Sequence, residues 1–428
     1  MKLSTSARIL RDQFFAQGFR QTYWNASAFA AEVGRLFGPE NRAFRRHVFR
    51  NQARFFFSTA RPIVGETADR ARAGVAWMLQ AQRASPDDGV SLGYFPCSRD
   101  GVAWKPSYPE TTGYIITSLL NFASRYDAHE VKEAALNMAR WEVRVQMHSG
   151  AVQGGTICPP EKQTPAAFNT GMVLDGWCSA FAATKDPALL AAARRAADFL
   201  VDDLDAKGYF RTNGAFVSAG EIKTYTCLCA WALYRFGEIT GEPRYIQAAI
   251  RSIEAALRQQ QPNGWFAHNC LARSDAPLTH TIGYTLQGVL EVGLLAGRDD
   301  FIAAVRLCLD HLIARITKHG YLPGLFYADW EPAAFSSCLT GSAQIAVVCF
   351  RLYQETTIDK YRRAADILVN YLKALQSLDS PSPAINGAIA GSFPLLGGYM
   401  RAGYPNWATK YFVDALMLQD RLNRSGVQ

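Results

Sequence analysis

The stretch YPETTGYIITSLLNFA, residues 108–123, places a proline and an acidic residue ahead of a run with few polar side chains. Related stretches follow it: FNTGMVLDGWCSAFA (168–182), TYTCLCAWALYRFG (224–237), HTIGYTLQGVLEVG (280–293), CLTGSAQIAVVCFRL (338–352) and NWATKYFVDALML (406–418). The six stretches align at Gly113, Gly171, Cys227, Gly283, Gly341 and Thr409. Successive stretches are then 58, 56, 56, 58 and 68 residues apart, and this nearly constant period indicates an internal structural repeat.

A second type of segment alternates with these six, and PALLAAARRAADFLVDDL (187–204) is its clearest member. Its apolar residues recur at three- and four-residue spacing, which is typical of an amphipathic helix with one face in water. A helix that is apolar on all sides is buried, so the pattern predicts an inner ring of six apolar helices within an outer ring of six amphipathic ones. All the long return loops should then gather at the end where the inner helices begin, and we expect the functional site there.

This all-α pattern resembles the (α/α)6 toroid, the six-hairpin architecture of many glycoside hydrolases, polysaccharide lyases and uronate epimerases. The resemblance covers residues 61–428, whereas residues 1–60 lack the repeat and are predicted to form a basic, aromatic-rich helical extension. The motifs YPETTGYII, FNTGMVL, LTHTIGYTLQGVLE, CLTGSAQIA, GAIAGSFPLLGGY and YPNWATKYFVDALML are also similar to those of a largely uncharacterised bacterial family associated with exopolysaccharide gene clusters. That resemblance implies a role in glycan synthesis or turnover and supplies no reaction.

Composition and charge set limits on the partners. The chain has 428 residues, a formal net charge of +8 and a pI near 9.0. No recognised nucleic-acid-binding motif accompanies this charge, so we expect no nucleic-acid partner and favour an acidic substrate or surface. Most of the nine cysteines lie in apolar helical stretches, as reduced core thiols do, and no signal-peptide or membrane-span pattern is present. We therefore expect a soluble, cytoplasmic protein.

Neither a metal site nor a cofactor is predicted. Cys227 and Cys229 are two residues apart on a helix, so their side chains diverge and cannot chelate one ion together. The chain also lacks a Walker A sequence and a Rossmann glycine fingerprint.

Three carboxylates are candidate catalytic residues, because hydrolysis of a glycosidic bond normally uses two, one of them with a raised pKa. Glu110 opens the first inner helix, although an acid there is equally placed to cap its own helix. Asp329, beside Trp330 in the fifth return loop, is the predicted partner, and Asp175 is the reserve. Asp175 either faces the central cavity or pairs with an inner-helix residue such as Lys410.

His280 and Tyr284 suggest a different chemistry, since they are four residues apart and share one helix face. Together with nearby tyrosines they could take a proton from C5 of a uronate, which is the first step of both lyases and C5-epimerases.

Aromatic and basic residues at the loop end are the predicted sugar contacts, because rings stack on sugar C–H faces and basic groups hold a uronate carboxylate. The predicted substrate-binding residues are Tyr94, Arg99, Trp104, Tyr114, Tyr225, Trp265, Trp330, Trp407, Lys410 and Tyr411. Repeated glycine–aromatic pairs such as Gly264-Trp265 also have a structural interpretation, in which the glycine makes a turn and the ring caps the core.

Three functions remain open from the sequence. The first is a glycoside hydrolase acting on an acidic polysaccharide or oligosaccharide through Glu110 and Asp329. The second is a uronate lyase or C5-epimerase using His280 and the tyrosines, and the third is a non-catalytic glycan-binding protein in exopolysaccharide assembly. Residues 1–60 either pack on the toroid or contact a membrane surface or glycan-assembly partner.

Overall fold

Helices make up most of the chain. A computed structural model describes residues 5–9, 27, 29–57, 65–217, 220–271 and 275–425. In chain order its main helices are α1 (Arg42–Phe57), α2 (Thr67–Arg83), α3 (Pro109–Tyr126), α4 (His129–Val145), α5 (Ala167–Thr184), α6 (Pro187–Asp203), α7 (Leu228–Thr240), α8 (Pro243–Leu257), α9 (Thr279–Ala296), α10 (Asp299–Ile313), α11 (Leu339–Thr356), α12 (Asp359–Leu375) and α13 (Asn406–Ser425). Short 3-10 helices span Pro39–Asn41, Pro160–Lys162, Gly214–Phe216, Thr224–Cys227 and Pro383–Ile385.

The helices form two concentric rings, as the repeat predicts. The odd-numbered helices from α3 to α13 are the inner ring, and each packs against the next. The even-numbered helices from α2 to α12 are the outer ring, and each of α4 to α12 packs on the inner helix that precedes it. Helix α13 packs against both α2 and α3, which closes the circle. The predicted (α/α)6 toroid is confirmed.

The N-terminal extension is described in part. Besides α1, residues 5–9 and 29–36 are helical. Residues 1–4, 10–26, 28 and 58–60 of the predicted extension, and the boundary that we placed after residue 60, lie outside the described ranges.

Links of two residues join each inner helix to the following outer helix. The first residue of each link is left-handed, with φ between 51° and 69° at Asp127, Lys185, Gly241, Gly297 and Thr357. Its N–H bonds to a carbonyl of the last helical turn, which ends the helix and reverses the chain. All the long loops therefore return at the other end, around the N-termini of the inner helices.

Two small antiparallel ladders tie the return loops together at that end. Strand β1 (Gly93–Tyr94) pairs with β4 (Tyr404–Pro405), and β2 (Ser337–Cys338) pairs with β3 (Ser392–Phe393). The sixth return loop, residues 376–405, is thus attached to both the first and the fifth loop.

The repeat glycines allow neighbouring inner helices to touch through their backbones. A Cβ atom at Gly113 would lie 2.6 Å from Cα of Val173, and one at Gly171 would lie 2.6 Å from Cβ of Cys229. Real Cβ atoms essentially never come within 3.0 Å of another heavy atom in this way, so the recurrence of glycine in the repeat follows from the close packing of the inner helices.

Replacing Gly113 by alanine should therefore lower the free energy of unfolding by about 2 kcal/mol, the usual cost of overpacking. Gly34, which is helical and has open space around its Cα, is the matched control, and Gly34→Ala should be neutral or slightly stabilising. Urea denaturation of both variants measures the difference. Equal effects at the two positions would refute this explanation of the repeat.

The described helices do not include one that is both long and apolar enough to cross a membrane. Eight of the nine cysteines are buried, and Cys158 is partly exposed.

Candidate active site

The first turns of the inner helices and the sixth return loop form an aromatic bowl at the loop end. Neighbouring rings connect its sides: the ring centroid of Phe168 lies 5.4 Å from that of Tyr225 and 4.7 Å from that of Tyr284. Tyr411 continues the series, 6.1 Å from Tyr284 and 5.8 Å from Tyr114. We use "the bowl" for Tyr108, Glu110, Tyr114, Phe168, Tyr225, His280, Tyr284, Gln344, Tyr399, Trp407 and Tyr411.

Glu110 lies in the first turn of α3 and is buried in the bowl. Its Oε2 accepts a hydrogen bond of 2.6 Å from the Tyr108 hydroxyl. Burial raises the pKa of Glu110 to about 7, although the Tyr108 hydrogen bond acts in the opposite direction. Near neutral pH this carboxyl can therefore both give and take a proton.

His280 lies in the first turn of α9, and its Nδ1 is 2.8 Å from Oε1 of Gln344. With the Gln344 amide in this orientation its oxygen accepts the hydrogen bond, so Nδ1 carries the proton and Nε2 keeps its lone pair. Burial lowers the pKa of His280 to about 4, and the Gln344 contact opposes this only in part. The imidazole is thus neutral at physiological pH and is available as a base.

Glu110 and His280 lie on opposite sides of the bowl. Each lies three residues before a repeat glycine, Gly113 and Gly283, so the two hold equivalent places in the first and fourth hairpins. In a closed ring of six hairpins the first and fourth are on opposite sides. Tyr284 lies near both residues. The centroid of its ring is 4.3 Å from that of His280. Burial is the main cause of the raised pKa of Tyr284, and the charge of Glu110 raises this pKa further.

Tyr399 covers part of the bowl from the sixth return loop. Its ring centroid is 5.7 Å from that of His280, and its hydroxyl accepts a hydrogen bond of 2.8 Å from Nε1 of Trp407. The Trp407 ring in turn meets Tyr108 edge to face at 6.2 Å. Tyr399 is thereby held over the space between His280 and the Glu110 side.

Lys410 lies beneath the tyrosines. Its Nζ is 3.9 Å from the ring centroid of Tyr411 and 5.0 Å from that of Tyr114. It pairs with Asp414 at 2.8 Å, so its charge is neutralised from below and is shielded from the bowl by the two rings.

Asp175 belongs to a layer of ion pairs deeper in the toroid. It pairs with Arg235 of the adjacent inner helix and accepts a hydrogen bond of 2.7 Å from Thr117. Its ion-pair partner is therefore Arg235, whereas the sequence had suggested Lys410. Glu291 and Arg351 form a similar pair at 2.8 Å. Because its charge is satisfied by an arginine, Asp175 is positioned as a structural residue.

Asp329 is not brought to Glu110. Its side chain is 54% exposed and pairs with Arg8 of the N-terminal segment at 2.7 Å. Partial burial raises its pKa, but the hydrogen bonds from Arg8 and from the Glu331 N–H outweigh this, and the pKa of Asp329 is lowered. The carboxylate pair predicted for hydrolysis is therefore not assembled from these two residues.

Trp265 and Trp330 lie outside the bowl as well. Their rings meet edge to face at 5.2 Å, and Trp330 stacks on His311 of outer helix α10 at 5.4 Å. A Cβ at Gly264 would lie 3.0 Å from the backbone N of Cys308, also in α10. The glycine–aromatic turn thus packs against outer helix α10.

Tyr94, Trp104 and Arg99 lie at the rim. The Trp104 ring is 5.1 Å from Tyr94 and 5.7 Å from Trp77 of outer helix α2. Arg99 is exposed and helps to line a cavity of about 630 Å³ between the first and sixth return loops, together with Lys105 and Arg401.

Gln344 and Tyr399 are members of the bowl that sequence reasoning missed. Gln344 had a detectable signal, because it is a polar residue within the otherwise apolar stretch of α11. Tyr399 had none, since it lies in a loop that does not share the repeat.

The raised pKa of Glu110 makes a prediction for stability. Its pKa rises from 4.5 to about 7 on folding, so the contribution of this carboxyl to the free energy of unfolding is fully present below pH 4.5 and is lost as the pH rises towards 7. At about 1.4 kcal/mol per pKa unit, the free energy of unfolding of Glu110→Gln should rise by about 3 kcal/mol relative to that of the native protein across this pH range. Denaturant titrations of both proteins from pH 4 upwards, at intervals of about half a unit, measure the difference. A difference that does not change with pH would show that the carboxyl is not desolvated.

Among the described residues, His, Cys, Asp and Glu side chains do not form a group of three or more that could hold a metal ion.

Comparison with known proteins gives the fold. No family model matches the chain, and no curated protein matches it. The chain is similar to the solved structure of an unsaturated glucuronyl hydrolase from Bacillus sp. GL1, with 16% identity over 83% of this chain and 97% of that one, at a TM-score of 0.65. A D-mannose isomerase (12% identity, 82% and 97% coverage, TM-score 0.64) and the cellobiose 2-epimerase of Bacillus thermoamylovorans (10% identity, 80% and 95% coverage, TM-score 0.64) are similar as well. At these identities the likeness shows the (α/α)6 toroid fold.

Proposed function

We propose that the protein is a carbohydrate-active enzyme that transfers a proton at a carbon atom of a sugar residue, as an epimerase or a lyase does. One observation carries this proposal: a histidine kept neutral by burial and a carboxyl with a pKa of about 7 begin inner helices on opposite sides of one aromatic bowl. The structural neighbours named above are named for reactions on sugars, which supports a saccharide as the substrate.

The chemistry follows from the two protonation states. Nε2 of His280 accepts the proton when a C–H bond next to an electron-withdrawing group breaks, and protonated Glu110 donates a proton to the opposite face of the same carbon. Inversion of that carbon is epimerisation. Departure of a group from the adjacent carbon, instead of reprotonation, is elimination.

A uronate is the substrate class that suits this site. The carboxylate of a uronate makes its C5–H bond acidic, and the chain carries a net charge of +8. Arg99 lines the cavity between the first and sixth loops and can attract an acidic chain there, whereas Lys105 and Arg401 of the same cavity pair with Asp100 and Glu32. The hydroxyls of Tyr114 and Tyr411, whose rings lie 5.8 Å apart in the bowl, can donate hydrogen bonds to negative charge on the substrate.

Hydrolysis is the second candidate, because a different carboxylate lies within range of the bowl. Burial is the main cause of the raised pKa of Tyr225, and the charges of Glu110 and Glu221 both raise this pKa further. Glu221 pairs with Lys223 at 2.7 Å. Glu110 as acid and Glu221 as base would be the pair for a hydrolase.

Product analysis in D2O with uronate-containing oligosaccharides separates these functions. Deuterium at C5 without cleavage identifies an epimerase, and an unsaturated uronate product identifies a lyase. New reducing ends with neither change identify a hydrolase and contradict the leading proposal. Binding without any chemical change supports the non-catalytic function.

The same assay tests His280. His280→Asn should reduce deuterium uptake or elimination by about a thousandfold, within the range measured for general bases. His129→Asn is the matched control, since His129 is exposed at the start of outer helix α4, and it should keep the native rate. A native rate in His280→Asn would remove this residue from the mechanism.

A further inference from the structure

Helix α1 has a composition unlike that of the rest of the chain. Its sixteen residues, RAFRRHVFRNQARFFF, include five arginines and no acidic residue. The whole chain has a formal net charge of only +8, so a large part of it is concentrated in this one helix.

The outward face of α1 combines these charges with exposed phenylalanines. Arg42, Arg46, Phe49, Ala53 and Phe56 are exposed and follow one another at spacings of four and three residues, which places them on one helix face. Phe56 is 73% exposed and Phe49 is 52% exposed. Phe37, which is 58% exposed, packs edge to face on Phe49 at 6.2 Å and extends the apolar surface.

The opposite face of α1 is fixed to the loop end of the toroid. The Asn51 Oδ1 accepts a hydrogen bond of 2.8 Å from the N–H of Leu395, and Nε2 of His47 is 2.9 Å from the Tyr404 hydroxyl. Both partners belong to the sixth return loop, which also carries Tyr399 of the bowl. The exposed face of α1 therefore points away from the toroid at the end where the bowl lies.

We propose that this outward face docks the protein onto an anionic membrane surface, with the bowl end directed to the bilayer. Arginines are attracted to anionic headgroups, and phenylalanines enter the boundary between headgroups and acyl chains. A second copy of the chain fits poorly, because two faces rich in arginine and free of acids repel each other. A soluble anionic glycan would engage the arginines and leave the phenylalanines in water.

Vesicle sedimentation of the full-length protein tests the proposal. The protein should bind phosphatidylcholine vesicles that contain phosphatidylserine, should bind pure phosphatidylcholine much more weakly, and should dissociate as salt is raised. Phe49→Ser/Phe56→Ser and Arg46→Glu/Arg50→Glu should each weaken binding by about tenfold or more. Because these side chains are exposed, the melting temperature should stay at the native value.

Matched controls use exposed residues elsewhere on the toroid. Leu295→Ser replaces an apolar side chain at the far end of α9, and Arg306→Glu/Arg363→Glu reverses two charges on outer helices. Both should bind vesicles like the native protein.

Four results would overturn the inference. The first is equal binding to both vesicle types. The second is controls that weaken binding as much as the α1 variants do. The third is a dimer in light scattering that the phenylalanine variant abolishes. The fourth is binding of soluble anionic oligosaccharides, but not of vesicles, that only the arginine variant abolishes.

Discussion

Glu110→Gln should lower the turnover of the sugar substrate by about a thousandfold and leave its binding within about threefold of the native value. Glutamine keeps the shape of the side chain and can still accept the hydrogen bond from Tyr108, but it cannot exchange a proton at neutral pH. The loss should therefore appear in kcat rather than in KM. Steady-state kinetics, with calorimetric binding of the same oligosaccharide, give the two quantities.

A second buried carboxyl provides the control for this variant. Glu142 of outer helix α4 is fully buried, its two oxygens have no hydrogen-bond partner within the described ranges, and burial raises its pKa well above the usual value. It lies outside the bowl, so Glu142→Gln should keep native turnover. Loss of turnover in both variants would indicate a general effect of removing a buried acid and would count against a specific role for Glu110.

Arg235→Met should lower the free energy of unfolding by about 3 to 5 kcal/mol, because it leaves the buried Asp175 carboxylate without its partner. Asp175→Leu combined with Arg235→Met should recover most of this loss, since no uncompensated charge then remains. Differential scanning calorimetry or urea denaturation of the single and double variants measures both effects.

The surface pair Arg363 and Asp359 serves as the reference for Arg235. Nη1 of Arg363 is 3.7 Å from Oδ2 of Asp359, and the Arg363 side chain is 70% exposed. Arg363→Met should therefore lower the free energy of unfolding by at most about 0.5 kcal/mol. If the two arginine variants lost equal stability, the ion pair of Asp175 would not be structural, and its role in the site would have to be reconsidered.

The repeat made the ring predictable from the sequence. Because the period fixes which residues begin each inner helix, it also placed Glu110, His280 and Tyr284 at one end of the toroid, and the structure brings them together in the bowl. The glycines that mark the repeat lie at close backbone contacts, so the same residues that reveal the period are the ones that the packing requires.

The return loops were not predictable in the same way. Asp329, Trp265 and Trp330 lie in loops without periodicity, so the sequence shows that they are near the loop end but not which way they turn. The fifth loop turns outward to α10 and to Arg8. The Arg235 partner of Asp175 comes from the neighbouring repeat, 60 residues away, and only the packing of two inner helices shows that pair.

A crystal structure of the Glu110→Gln variant with a bound uronate-containing oligosaccharide is the decisive test of the proposed site. We expect one sugar ring between residue 110 and His280, with both side chains within about 3.5 Å of opposite faces of the same carbon, the distance of a reactive contact. A sugar bound elsewhere on the toroid, or one that Glu110 and His280 contact from the same side, would contradict it.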